Sequence, residues 1–230
     1  MMDIIDYDIS IEKELLKKIP KEYHEVVSTT FFLARQKVEL RQEIMQCASC
    51  PLHQSCTQRV PGVGPLSADI MMVGESPGEQ EDLQGKPFVG PAGQLLNKAL
   101  EAIGWNRNDV YITNVLKCRP PNNRTPLVSE VASCYRHLQK EIELVKPKVI
   151  ICVGAVAANT LIHPDFRITQ EHGVWFENRG IRMIAIYHPS YLLRLGEGTP
   201  QQVQAKWEVF HALEKVKAYQ ASGFDPIFFQ

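Results

Sequence analysis

Six cysteines lie along this 230-residue chain, and their spacing is its first chemical signal. Cys47 and Cys50 form a CxxC pair, Cys118 and Cys134 follow far downstream, and Cys56 and Cys152 complete the set. In a reducing compartment, clustered cysteines bind metal or take part in catalysis instead of forming structural disulfides. Four thiolates from two separated pairs can enclose a zinc ion or an iron–sulfur cluster, and the spacing does not choose between them. Cys152 sits inside an apolar run and reads as a small buried hydrophobe. Cys56 is ambiguous, since it could replace Cys50 as a ligand.

Three other segments carry residues able to do chemistry. GESPGEQED, Gly74 to Asp82, gathers Glu75, Ser76, Glu79, Glu81 and Asp82, while Gly74 and Gly78 let the backbone approach a ligand closely. Its acidity argues against a phosphate cradle and for a pocket that handles neutral or developing cationic groups. KPFVGPAGQLL, Lys86 to Leu96, places Phe88 in a Gly/Pro-rich loop, where a ring can stack on a base or plug the core. YHPSYLLR, Tyr187 to Arg194, sets His188 directly before Pro189. VGAVAANTL, Val153 to Leu161, lacks the G-x-G-x-x-G of a dinucleotide site.

The elements that must position these residues are legible from periodicity. Asp69 to Val73, Val110 to Asn114, Val149 to Val153 and Arg182 to Ile186 read as strands. Leu95, Leu96, Ala99, Leu100 and Ile103 mark one helix face, stopped at Gly104; Val131, Tyr135, Leu138, Ile142 and Val145 mark another, ended at Pro147. Strands alternating with helices give an α/β fold whose parallel sheet is covered on both faces. Ligands then bind at the carboxyl ends of the strands, where Gly74–Glu75, Asn114, Gly154 and His188 all fall. The first 46 residues read as helical: Ser10 to Ile19 ends at Pro20, and Val27, Phe31, Ala34 and Val38 share a later stripe. Cys47 to Pro65 reads as an irregular, tethered loop.

A formal net charge of -1 means that any nucleic-acid site must concentrate positive charge locally. Lys117, Arg119 and Arg124 form one patch for that role, with Arg194 as another cation. The apolar runs are too short to span a bilayer, and the N-terminus has no secretory pattern, so no membrane role and a cytoplasmic location are expected. The apolar tail Gly223 to Gln230 reads as packing on the body, or more weakly as a docking peptide for a replication clamp.

From about Glu39 to Tyr219 the chain resembles the iron–sulfur (family 4) uracil-DNA glycosylases. The resemblance rests on the ordered combination of the CxxC, GESPGEQED, GKPFVGPAGQLL, VYITNVLKCRPPNNRTP, the later Cys134, and YHPSYLLR. It implies a three-layer α/β/α sandwich with a four-stranded parallel sheet over residues 39–219. Residues 1–38 are then a helical N-terminal arm and residues 220–230 a tail.

The resemblance implies a [4Fe–4S] cluster on Cys47, Cys50, Cys118 and Cys134, and hydrolysis of the uracil N-glycosidic bond in DNA, starting base-excision repair. It also implies Phe88 stacking on flipped uracil, Asn114 reading the pairing edge, and His188 donating to O2. Gly74, Glu75 and Glu81 belong to the first active-site motif, with Glu81 rejecting thymine, and Asn123 to the loop after the third cluster cysteine. The HPSYLLR segment, with Arg194, should meet the minor groove and use Leu192 or Leu193 as wedge. Two departures stand out. Ser76 occupies a position where family members commonly carry Ala or Gly, and the helical arm, Met1 to about Val38, lies outside the matching region. The chain also lacks the Arg/His-rich insertion of the related glycosylases that trap DNA covalently, so that chemistry is not expected. A non-catalytic iron–sulfur DNA-binding or redox-sensing protein would fit the cysteines alone. A glycosylase for another deaminated base, hypoxanthine or xanthine, is the closer alternative.

Overall fold

The apolar runs become strands because their side chains alternate between two cores. The computed structural model describes residues 9–225. Expectations for residues 1–8 and 226–230, including the end of the tail read as a docking segment, lie outside the described residues. The strands are β1 (Ile70–Gly74), β2 (Tyr111–Asn114), β3 (Val149–Val153), β4 (Trp175–Asn178) and β5 (Ile181–Ile186). They form one five-stranded sheet in the order β2-β1-β3-β5-β4. β2, β1, β3 and β5 are mutually parallel, whereas β4 runs antiparallel to β5.

The sheet is therefore mixed and five-stranded, not purely parallel with four strands. The extra strand exists because Arg179 (φ 51°) and Gly180 (φ 77°) both take positive φ and close a tight hairpin between Asn178 and Ile181. An arginine is a weak sequence signal for that turn. β4 is only half-buried to exposed, so no apolar alternation announces it.

The helices are α1 (Ile9–Leu16), α2 (His24–Met45), α3 (Glu79–Gln84), α4 (Pro91–Ala102), α5 (Val128–Val145), α6 (Ala155–Leu161), α7 (Ile168–Glu171), α8 (Pro189–Arg194) and α9 (Pro200–Ala221). On one face of the sheet Met72, Ile112, Ile151 and Ile184 pack under Leu96 and Leu100 of α4 and Val209, Leu213 and Val216 of α9. On the other, Met71, Val73, Ile150 and Cys152 pack under Leu138 and Val145 of α5 and Ala157, Ala158 and Leu161 of α6. Cys152 is thus a core residue, as its apolar neighbours require.

α2 docks on α5, where Lys140 Nζ donates to Glu43 Oε2 at 2.5 Å. Leu40 and Ile44 are its buried residues; the stripe Val27, Phe31, Ala34 and Val38 is only half-buried, and the helix runs unbroken through residue 38. Among the described residues no helix is long and apolar enough to cross a membrane.

Candidate active site

The floor of the site is the carboxyl edge of β1 and β2, where Gly74 pairs in register with Asn114. A Cβ on Gly74 would fall on Asn114 Oδ1 and 2.5 Å from Phe88 Cζ, so only glycine lets these two side chains close over the strand end. Phe88 holds a left-handed backbone (φ 52°), and a Cβ on Gly93 would run into its carbonyl. Arg107 fixes the same loop, donating from Nη2 to Pro87 O at 2.6 Å and from Nη1 to Asn97 Oδ1 at 2.7 Å. The Phe88 ring lies 5.9 Å from the His188 ring, tilted by 36°. Asn114 is 2% exposed, and its Oδ1 has no hydrogen-bond donor. A buried acceptor left unmade costs roughly 1–3 kcal/mol, which a ligand N–H would recover.

His188 caps α8, and its tautomer follows from that cap. Ser190 donates its backbone N–H to His188 Nδ1 at 3.2 Å, and Ser190 Oγ lies 2.7 Å from the same nitrogen. Burial, helped by the Arg194 charge and opposed by Glu81, lowers the His188 pKa to about 4. A neutral ring that accepts at Nδ1 carries its proton on Nε2. His188 is thus a neutral donor at Nε2. Gly154 makes room for it, since a Cβ there would sit 2.9 Å from His188 Cβ.

The first acidic loop is held by its own carboxylates. Glu81 Oε1 accepts from Val89 N (2.8 Å) and Gly90 N (2.7 Å), and Oε2 accepts from Gly78 N (3.1 Å), so the side chain is locked in place. Asp82 accepts from the backbone of Thr57 and Gln58, tying this loop to the cysteine segment. Glu75 is half-buried beside Ser76; burial raises its pKa, against the pull of Arg194.

Several expected site residues fall elsewhere. Lys117 is no DNA contact: it is 1% exposed, and its Nζ donates to Glu141 Oε2 (2.6 Å), Thr113 Oγ1 (2.6 Å) and the carbonyl of Asn114 (2.8 Å). Arg124 is exposed but forks onto both oxygens of Glu130, and Arg119 is shared between Glu79 and the Oδ1 of Asn123. Asn123 itself is exposed in that loop and touches none of the pocket side chains by a hydrogen bond. Leu192 is 4% exposed and belongs to the core under α9, so it is not the wedge; Leu193, 46% exposed, is the one that projects. Arg194 stays exposed at the pocket mouth, with Nη1 3.4 Å from Ser190 Oγ. The Lys117–Glu141 pair and the Ser190 contact to His188 were not legible in the sequence, because the first joins residues far apart and the second lies in an unremarkable cap.

Cys47, Cys50, Cys118 and Cys134 face one cavity, with His137 and Arg59 also in its wall. Cys56 packs against Cys118 at the margin. Lys117 N donates to Cys134 Sγ at 3.3 Å, and Arg136 Nη2 lies 3.7 Å from Cys47 Sγ. Burial pushes the Cys118 thiol up and that of Cys134 up to about 11, so these thiolates need a cationic partner to ionise.

The sheet order and the matched sequence agree on one class. The chain belongs to the uracil DNA glycosylase superfamily, whose sequence model matches residues 61–214. Within it the chain belongs with the type-4 uracil-DNA glycosylases. It is 47% identical over 163 residues to that of Archaeoglobus fulgidus, covering 67% of this chain and 82% of the relative. It is 42% identical over 182 residues to that of Thermotoga maritima, covering 77% and 91%, and 42% identical over 164 residues to that of Pyrobaculum aerophilum, covering 68% and 84%.

Proposed function

We propose that this enzyme flips uracil out of DNA and hydrolyses its N-glycosidic bond, the first step of base-excision repair. The observation that carries the reading is Asn114: a buried amide oxygen without a donor, beside an aromatic ring and a neutral histidine donor. Oδ1 accepts from uracil N3–H and the amide nitrogen donates to O4. Cytosine reverses both roles and leaves both groups mismatched, which can reject it by ~10⁴-fold or more. Phe88 stacks on the flipped base, whose extrusion costs a few kcal/mol offset by these contacts.

As the C1′–N1 bond breaks, the sugar becomes cationic and the departing uracil anionic at O2. His188 Nε2–H stabilises that anion, a contribution typically worth ~10²–10³ in rate. Glu75 faces the sugar cation and takes up the proton of the attacking water as its oxygen bonds C1′. The Ser76 hydroxyl positions that water. Glu81, unable to swing aside, closes the space beside C5 to the thymine methyl. Leu193 and Arg194 meet the DNA, with Arg119 and Asn123 on the flanking loop.

Cys47, Cys50, Cys118 and Cys134 would hold a [4Fe–4S] cluster. Their donor set is of the right kind: four thiols face a shared cavity. Bound there, the group supplies a cross-link between the CxxC segment, the loop after β2, and α5. Reduced cysteines and an iron–sulfur centre suit the cytoplasm. The test is to incubate the protein with otherwise identical oligonucleotides carrying U, hypoxanthine, xanthine or T and to score abasic sites. Release from U alone is expected; release from hypoxanthine or xanthine in preference to U would overturn the substrate assignment.

A further inference from the structure

Among the described residues, buried side-chain polar atoms without a hydrogen-bond partner occur on only two residues, Asn114 and His137. The first faces the base pocket. The second has no part in it. His137 lies on α5 one turn beyond Cys134, is 0% exposed, and neither ring nitrogen has a hydrogen-bond partner. Its Nδ1 comes within 3.6 Å of Glu43 Oε1, which is too far for a hydrogen bond, and the other Glu43 oxygen is already held by Lys140. A neutral imidazole must place one N–H, and burying it unpaired is unfavourable when a phenylalanine would fill the same space. The ring also forms part of the wall of the cavity that Cys47, Cys50, Cys118 and Cys134 face. The acceptors that line this cavity include the sulfurs of Cys47, Cys50, Cys118 and Cys134, beside the hydroxyls of Ser49 and Ser133.

We propose that His137 is a hydrogen-bond donor to a sulfur of the metal centre and thereby sets how firmly the centre is held. The inference rests on the cofactor reading above. Its chemistry is that of outer-shell partners generally, which orient ligands and tune metal affinity without touching the metal. Hydrogen bonds to sulfur also shift the reduction potential of iron–sulfur centres. Arg136, reaching Cys47 from the neighbouring position, acts from the exposed side of the same cavity.

His137→Phe keeps the ring volume and removes the donor, whereas His137→Gln keeps a donor. Both variants are purified anaerobically as the full chain with their iron. Resonance Raman spectra of the Fe–S stretching bands are recorded in H2O and D2O, and the visible absorbance is followed during bleaching by an iron chelator. The expected result is that His137→Phe loses part of the D2O-sensitive band shift and bleaches about five-fold faster, the factor carried by one hydrogen bond of ordinary net strength. His137→Gln should restore both, and single-turnover uracil release should be unchanged in either. A phenylalanine variant with the parent's D2O shift and lifetime would overturn the proposal. A parent protein without iron and sulfide would instead overturn the cofactor reading, and this inference with it.

Discussion

The base pocket and the cysteine cavity are assembled in opposite ways, with Lys117 between them. The pocket grows from adjacent strand ends. Gly74 and Asn114 pair directly, Phe88 is wedged between Gly74 and Gly93, and Ser190 fixes the His188 tautomer. It is organised before any ligand arrives, apart from the Asn114 oxygen. The cavity instead joins the 47–50 segment, the loop after β2 and α5, and the ring nitrogens of His137 in its wall have no hydrogen-bond partner. Lys117 touches both regions: Nζ holds the Asn114 carbonyl, and its backbone N–H donates to Cys134 Sγ. The first region is thus built on adjacent strand ends, whereas the second joins segments far apart in sequence.

The largest effect that would sharpen this contrast is on rate. Asn114→Ala and His188→Ala should each slow single-turnover uracil release by ~10²–10³-fold while leaving visible absorbance and circular dichroism unchanged. Normal rates in either variant would remove that residue from the mechanism. Next comes stability at the junction. Lys117→Met strands the Glu141 carboxylate in the core and should cost about 3–5 kcal/mol in urea unfolding, with much of it recovered in Lys117→Met, Glu141→Gln. A single variant as stable as the parent would show that Lys117 does not tie the two regions together.

A smaller effect is expected from pH. The folded His188 pKa of about 4 lies below the ordinary histidine value of 6.5, so the unfolded chain takes up a proton first as pH falls. The neutral ring therefore contributes stability in full above 6.5 and loses it progressively down to about 4. His188→Gln should flatten the slope of the melting temperature over that window; an identical slope would mean that His188 is not buried neutral.

Glu81→Ala should admit slow thymine release from T:G mispairs and lose some uracil rate, because its carboxylate also orders three backbone amides. Full uracil activity without any thymine release would show that it is not the gate. Smallest of all, deleting residues 1–20 should leave uracil release unchanged, since α1 packs chiefly on α2. Loss of activity in a folded truncation would give the arm a role in the site.

Much of this site was legible because strand ends are predictable places. Periodicity located four parallel strands, and the residues just beyond them, Glu75, Asn114 and His188, do meet at one edge. The cysteine set also came together as expected. What failed depended on side-chain direction or distant partners. Nothing local says that Leu192 turns inward while Leu193 turns out, nor that Lys117 meets Glu141 across 24 residues. The β4 hairpin was hidden by a turn closed with arginine, and nothing local sets His137 apart from the other polar residues of α5.

The most direct measurement of the central claim pairs a substrate change with a protein change. Oligonucleotides carrying uracil or N3-methyluracil are given to the parent enzyme and to Asn114→Ala, and single-turnover base release is timed. If the orphaned Asn114 oxygen accepts from N3–H, methylation should slow the parent severely and slow Asn114→Ala little beyond the loss the substitution already causes. Equal rates on both bases with the parent enzyme, or an undiminished methyl effect in the variant, would contradict it.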